Sequence, residues 1–346
     1  MVLAFLISFY VHSQPPKVDS EQIHVPEALA IPIVNVSRIL GIAPVLTFAD
    51  TVLWNWSPKN PCLPLSPDNV KFMHTFSGTE TEQNFYVLST KAEIKGVEIL
   101  RIMDRYAHLP DATDFASISK TAKDLTRLAS VVHELTDTLK DVKEAVDPYV
   151  FHWEVRPWYN GSDSKGPSSP GWVYDGVPLS ESLDLSGPSA GQSTVMHALD
   201  VFLDVDHKLQ QRRNPAPSPN NKKADRSFMD RMRRYMPGPH QKFLIDLSNL
   251  PVPLRGLANE TPLLREPYNS VVLALKQFRD SHIRVATLYI VSMSKSTPPA
   301  NAGEKPDQEP RGKGYDGPVR GTGGTELSTL LKAGRDATSR TMLTRN

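Results

Sequence analysis

Helical periodicity runs through most of the chain. Ile118, Ala122, Leu125, Leu128, Val132, Leu135, Leu139, Val142 and Val146 are spaced by threes and fours, which puts them on one face of a long amphipathic helix. Asp114 can cap its start, and Pro148 lies just past its end. Phe85, Leu88, Ala92, Gly96, Ile99 and Met103 predict a second helix, Pro44 to Trp56 a third, and Gln192 to about Leu209 a fourth. Val2 to Val11 is an apolar run that suits a buried helix, and Glu326 to Thr338 is a further helical run. Sustained strand alternation is scarce, so an all-α fold is expected.

One helical seam carries a misfit. Tyr268, Val271, Leu275, Phe278, His282, Val285 and Tyr289 share a face, and every member except His282 is apolar or aromatic. A buried imidazole needs partners for its nitrogens, because an unpaired buried polar group costs roughly 1–3 kcal/mol. A hydrogen bond within the protein is the ordinary solution. A metal is the other, since neutral imidazole is the commonest protein metal ligand. The residue alone favours the hydrogen bond.

The 30 prolines gather in the connections. Gly161 to Pro170 is rich in Gly, Ser and Pro, and Arg213 to Lys223 in Pro and Asn. Ser296 to Pro318 is the longest such segment and lacks apolar anchors, so the loop 296–325 is expected to be mobile. It ends in Gly321-Thr322-Gly323-Gly324-Thr325, which lacks the Gly-Lys-Ser/Thr of a phosphate-binding loop. Those glycines suit a lid that closes on a ligand, and equally a linker whose Thr325 caps the following helix.

Composition narrows the function without naming it. A chain of 346 residues, 39% hydrophobic and 22% charged, can bury one large core or two smaller ones. The net charge of +1 argues against a dedicated nucleic-acid binder. The basic run Arg231 to Arg234 is better explained as cations complementing a helix C-terminus. Cys62 is the single cysteine, so no intrachain disulfide or cysteine metal cluster can form, and a cytoplasmic location is expected. Val2 to Val11 has no preceding Lys or Arg, no small-residue cleavage pattern near Ser13, and falls short of the ~20 residues that cross a bilayer.

Two segments carry candidate chemistry. Phe151-His152-Trp153-Glu154-Val155-Arg156-Pro157-Trp158-Tyr159 is dense enough in aromatics to form a core or a pocket wall. Within it, Arg156 suits capture of a carboxylate by its planar fork, or equally a structural ion pair or stacking on Trp158. Ser186 to Ser193 is built of small residues, which let a flat ligand approach the backbone or simply make a close turn with a helix cap. Asp200 with His197 lacks the further ligands of a zinc site, and no nucleophile elbow supports a Ser-His-Asp triad.

In this order, five groups of residues resemble indoleamine 2,3-dioxygenases, particularly fungal ones. They are Phe85-Tyr86-Val87-Leu88-Ser89, Ser189-Ala190-Gly191-Gln192-Ser193, Met232-Arg233-Arg234-Tyr235-Met236-Pro237 with His240, His282 followed by Tyr289-Ile290, and Gly321 to Thr325 with Leu330-Leu331-Lys332. The resemblance implies the family's haem-binding helical large domain and haem b as cofactor. It implies the insertion of both atoms of O2 across the indole C2–C3 bond of L-tryptophan to give N-formylkynurenine, the first step of a route towards NAD. It makes His282 the proximal iron ligand and Arg279 a neighbour of a haem propionate. Arg156 would hold the substrate carboxylate beside Phe151, while Phe48 and Phe85 flank the indole and Ser89 lies near the distal face. Ser189 and Ala190 would lie over the haem edge and the substrate, and Thr322 would belong to a loop that closes on it. A monomer is expected.

The match has departures. Tyr159 stands where mammalian members carry leucine, Pro188 where they carry glycine, and Phe48 where they carry tyrosine. Residues 1–13 match only the last helix of the family's smaller N-terminal domain, and 14–346 match the large domain. A truncated, non-catalytic haem- or tryptophan-binding protein is therefore the alternative, with poor solubility and weak haem retention expected of it. A helical interaction scaffold using Arg231 to Arg234 is a third reading.

Overall fold

The computed structural model describes residues 1–15, 21–164, 169–181, 183–207, 228–299, 319–322 and 326–344. Two long helices supply the frame, α3 (Glu80–Ala107) and α4 (Phe115–Ala145). The Thr79 hydroxyl caps α3 by accepting from the amide of Glu82, and Asp114 caps α4 by accepting from the amide of Ser117, as the sequence predicted for Asp114. Glu82 adds a second restraint, accepting from the amides of Phe76 and Ser77 at 2.8 and 2.7 Å. Its carboxylate thereby fixes the angle at which the chain enters α3.

The predicted amphipathic face of α4 is the one it buries. Leu125, Leu128, Val132 and Leu135 are all 3% exposed or less and pack with Val271, Val272 and Leu275 of α10 (Pro262–Ala286). Burying side chains of this size contributes roughly 1.5–3 kcal/mol each. The same core takes in α6 (Thr194–Phe202), α8 (Gly238–Ser248) and α9 (Leu254–Glu260), with α11 (Leu327–Arg340) lying along α10. A second cluster joins α1 (Val2–His12) and α2 (Glu27–Leu40) to the aromatic segment 151–159, which follows the short α5 (Pro148–Val150), and to Phe228 and Met232 of α7 (Phe228–Arg233).

In α1, Ala4, Phe5, Ile7 and Val11 are buried, whereas Val2, Leu6 and Phe9 are exposed. Phe5 stacks on Phe76 at 4.6 Å, and Ser8 Oγ donates to the carbonyl of Trp158 at 2.9 Å. Two short strand pairs complete the described elements. β1 (Ile23–Val25) runs parallel to β4 (Trp172–Tyr174), and β2 (Trp56–Pro58) runs antiparallel to β3 (Val70–Phe72). None of the described helices is long and apolar enough to cross a membrane.

Two helical expectations need correction. The helix expected from Pro44 to Trp56 contracts to a wide π turn, Ala49–Leu53. There the Asp50 carboxylate accepts from both the amide and the hydroxyl of Thr47, satisfying the backbone locally instead of through a helical ladder. The helix expected from Gln192 to Leu209 begins as a 3-10 turn, Ala190–Gln192, and ends at Phe202. Asp204 has φ of 52°, a left-handed backbone that stops the helix. Leu209, the Arg213–Lys223 loop and most of 296–325 lie outside the described residues.

Candidate functional site

Among the described residues, three π turns occur, at Ala49–Leu53, Phe151–Val155 and Thr287–Ser292. Such wide turns are rare and concentrate at functional sites. Each abuts sequence-predicted site residues. Phe48 precedes the first, Phe151 and Arg156 bound the second, and the third follows the helix that carries His282.

The first group of site residues is an aromatic wall. Phe85 from α3 meets Phe151 at 4.9 Å between ring centroids and Tyr159 at 6.3 Å, and Phe151 meets Tyr289 at 5.9 Å. Tyr159 donates to the hydroxyl of Tyr86 at 2.9 Å, and Tyr86 donates to Glu82 at 3.0 Å. Burial, then the neighbouring hydroxyl and carboxylate, pushes the Tyr86 phenol well above its ordinary pKa, so it remains a donor. Ser89 lies one turn beyond Phe85 and donates back to its carbonyl at 2.8 Å.

The second group is held by backbone. Arg156, at the start of a 3-10 turn, donates through Nη2 to the carbonyl of Arg320 at 2.6 Å. Two residues on, the Thr322 hydroxyl donates to the carbonyl of Pro188 at 2.6 Å, and the Thr322 backbone carbonyl accepts from the amide of Gly187 at 3.3 Å. Ser189 Oγ caps the turn Ala190–Gln192 by accepting from the amide of Gly191. Gln192 accepts from the amide of Phe48 at 2.8 Å and donates to the carbonyl of Gly187 at 2.9 Å. Phe48, Arg156, Ser189, Ala190 and Thr322, far apart in sequence, thus belong to one bonded assembly.

Gly187 is what lets this assembly close. A Cβ there would sit 1.9 Å from the carbonyl oxygen of Tyr159 and 2.9 Å from the amide nitrogen of Gly161. Gly187→Ala is therefore expected to force the Ser189 segment away from the Arg156 segment. Overpacking of this kind costs roughly 1–3 kcal/mol, and more where backbone is the obstacle. Urea unfolding measures it, and an unchanged midpoint would show that the two backbones part freely.

The third group lies on α10. Its seam is closed at Tyr268, Val271 and Leu275, each 0% exposed, and closed again at Tyr289, at 3%. Between them Phe278, His282 and Val285 are only half-buried. The His282 ring stacks on Phe278 at 6.4 Å between centroids, and neither of its nitrogens has a hydrogen-bond partner among the described residues. Although some side-chain surface stays accessible, burial and then the charge of Arg279 push its pKa down to about 4. It is therefore a neutral imidazole at physiological pH, the form that ligates metal.

Arg279 is committed to the protein. It donates to Asp200 at 2.5 Å, to the carbonyl of Gly334 at 2.7 Å and to the Thr338 hydroxyl. His207 bonds the other Asp200 oxygen at 2.7 Å. Burial alone would raise the Asp200 pKa, but Arg279 and His207 overcome this and hold it at about 2. Sequence reasoning weighed Asp200 only with His197. Its actual partner, His207, lies past the left-handed stop at Asp204, which no periodicity reveals. Gln192 was also missed as the residue that joins Phe48 to Gly187.

Among the described residues, no three or more His, Cys, Asp or Glu side chains converge to hold a metal ion. A metal at His282 must therefore bring most of its own ligands, as the iron of a macrocycle does. The open apolar stretch of the α10 seam beside an unpartnered, neutral imidazole fits such a group.

Comparison with known proteins places relatives beside this chain. The family model described as indoleamine 2,3-dioxygenase matches residues 1–341. The chain is 33% identical over 341 aligned positions to indoleamine 2,3-dioxygenase 2 of Mus musculus, covering 95% of this chain and 74% of that protein. It is 28% identical over 369 positions to indoleamine 2,3-dioxygenase of Saccharomyces cerevisiae, covering 97% and 76%. A protein of Haliotis madaka named myoglobin is 32% identical over 324 positions, covering 91% and 74%.

Proposed function

Because the chain belongs to the indoleamine 2,3-dioxygenase family, we infer that it is a haem-dependent dioxygenase that converts L-tryptophan and O2 to N-formylkynurenine. The observation that carries the haem assignment is His282, a neutral imidazole without a protein partner on the open part of an apolar seam. His282 would hold the iron of haem b. The haem supplies the activation of O2, which accounts for a site without an evident acid–base pair.

The remaining residues bind, orient and exclude water. Phe85 and Phe151 form a wall on which an indole can lie, with Tyr159 beside them and Phe48 held by Gln192. The guanidinium of Arg156, oriented by the Arg320 carbonyl, would take the substrate carboxylate. Ser89 lies on the α3 face that carries Phe85, and its hydroxyl is already bonded to a backbone carbonyl, so it shapes the wall without moving a proton. Thr322 and the turn at Ser189 and Ala190 would cover the opposite edge. A dry pocket of this kind protects reactive intermediates from water. The product would enter a route towards NAD.

The test is direct. Purified protein supplied with haem, a reductant, O2 and L-tryptophan is expected to form N-formylkynurenine. Arg156→Leu should lower kcat/KM for L-tryptophan by about 10- to 150-fold, as expected for a lost charge-assisted hydrogen bond of roughly 1.5–3 kcal/mol. Haem content should hardly change. Equal losses for L-tryptophan and for an indole without a carboxylate would reject this role. The relative named myoglobin favours a second reading, a haem protein without turnover. Haem uptake and tryptophan binding with no N-formylkynurenine would select it.

A further inference from the structure

A carboxyl lies between the wall helix α3 and α6. Glu93 lies one helical turn beyond Ser89 on α3, the helix that carries Phe85. Its Oε1 accepts from the Ser193 hydroxyl at 2.6 Å, and Ser193 is its single hydrogen-bond partner among the described residues. Ser193 is itself 4% exposed. It caps α6 by accepting from the amide of Met196 and directly follows the turn Ala190–Gln192. One further turn along α3, Gly96 lies so close to α6 that a Cβ would meet Val195 Cγ2 at 2.5 Å. The two helices therefore touch, and the Glu93–Ser193 bond lies where they meet.

We propose that Glu93 is a positioning residue of the pocket. Its carboxyl, bonded to Ser193, ties the wall helix α3 to the turn carrying Ser189 and Ala190, and its protonation state sets how firmly that turn is held. This rests on the reading that the turn borders the haem and substrate.

Among the described residues, no cation pairs with Glu93. On the α4 side, Asp141, Glu134 and Arg127 pair with Lys91, Lys95 and Glu98 of α3. On α6, His197 bonds the Gly191 carbonyl, and Asp200 pairs with Arg279 and His207. His240 of α8 bonds Thr194, Asp50 bonds Thr47, and His152 bonds the Tyr289 carbonyl. Among the described residues, none of these forms an ion pair with Glu93, and neither do Asp68, Lys71 or Glu154 on the other segments packed against α3. Glu93 is half-buried, its side chain keeping some accessible surface, so ionising it draws water further into the seam and loosens the contact between the helices. A neutral carboxyl draws in less. Burial raises the Glu93 pKa to about 7, against the lowering effect of the Ser193 bond, so the change falls near neutrality.

The folded chain thus keeps a proton that the unfolded chain releases between about pH 4.5 and 7. The stability linked to Glu93 is present at low pH and declines as pH rises through that window. The experiment follows the apoprotein melting temperature and the haem dissociation constant, read from the Soret band, between pH 5 and 8.5. If only the neutral form holds the turn, about one-tenth of the protein is competent at pH 8, and haem affinity should fall about tenfold from pH 6 to 8. Glu93→Gln, which mimics the neutral acid, should flatten both profiles and remove the matching rise in KM for L-tryptophan. Ser193→Ala covers the case in which Glu93→Gln does not fold. Without the lowering bond the inflection should move to higher pH, whereas a merely structural serine would leave its position unchanged. The inference is overturned if Glu93→Gln retains the wild-type inflection, if Ser193→Ala leaves it in place, or if wild type that binds haem shows none. Failure of wild type to take up haem at any pH would instead defeat the proposed function, and this inference with it.

Discussion

Replacing His282 with alanine is expected to abolish stable haem binding and all dioxygenase activity while leaving helicity nearly intact. The helix survives because alanine has the highest helix propensity and His282 makes no hydrogen bond that the fold needs. Outer-shell partners of a metal ligand already cost 10–100-fold in affinity when lost, so removal of the ligand itself should exceed about 100-fold. The Soret spectrum of the reconstituted ferrous protein reads the result, and a spectrum matching wild type would eliminate His282 as the ligand. The apoprotein offers a second readout. The lowered pKa of His282 means that the unfolded chain takes up a proton between about pH 6.5 and 4 that the folded chain does not. Stability is therefore lost as pH falls through this window, and the alanine variant should lose less of it. His197, also held at about 4 by burial, should retain its own share.

Asp200→Ala is expected to be the most destabilising single change near the site. The carboxylate joins Arg279 and His207, and Arg279 is itself enclosed, with its side chain 13% exposed. Deleting one partner of a buried pair leaves the other charge uncompensated, at a cost of roughly 3–5 kcal/mol. Because Arg279 lies three residues before His282, the loss should also disturb the helix turn that presents the imidazole. Denaturant unfolding of the apoprotein measures the first effect and haem titration the second. An unfolding free energy within 1 kcal/mol of wild type, in the range of ordinary surface changes, would contradict the role given to this network. The acid limb follows the same logic. Asp200 is held below its ordinary value, so its contribution is complete above about pH 4 and vanishes as pH falls towards 2.

The site was legible in the sequence to an uneven degree. His282 stood out because a polar residue interrupts a strict apolar period, and a violated local rule is often a functional position. Arg156 stood out because an arginine lies within a run of aromatics. Neither observation by itself chose between a ligand-binding and a structural role. The family resemblance supplied that choice in the sequence, and the open stretch of the α10 seam now supports it for His282. Glu93 and Asp200 carried no such signal. A glutamate on an amphipathic helix reads as solvent-facing until another helix is packed over it, and Asp200 reads as one of many acidic residues until Arg279 arrives from α10.

What the sequence determined by itself is local and periodic. The spacing of apolar residues from Ile118 to Val146 dictates a long helix and which face it buries, because both follow from 3.6 residues per turn and the cost of exposing aliphatic surface. The Asp114 cap is equally local. The tertiary structure alone decided where that logic gives way, whether to a local side-chain bond or to contact with a distant segment. Thr47 and Asp50 satisfy each other and collapse the expected 44–56 helix into a wide turn, and the left-handed Asp204 ends α6 at Phe202. Gly187 lets two backbones pass in contact, so that Phe48, Arg156, Ser189 and Thr322 join one assembly. Such contacts depend on which surfaces meet after collapse, and hydrophobic periodicity holds no record of a partner more than a hundred residues away.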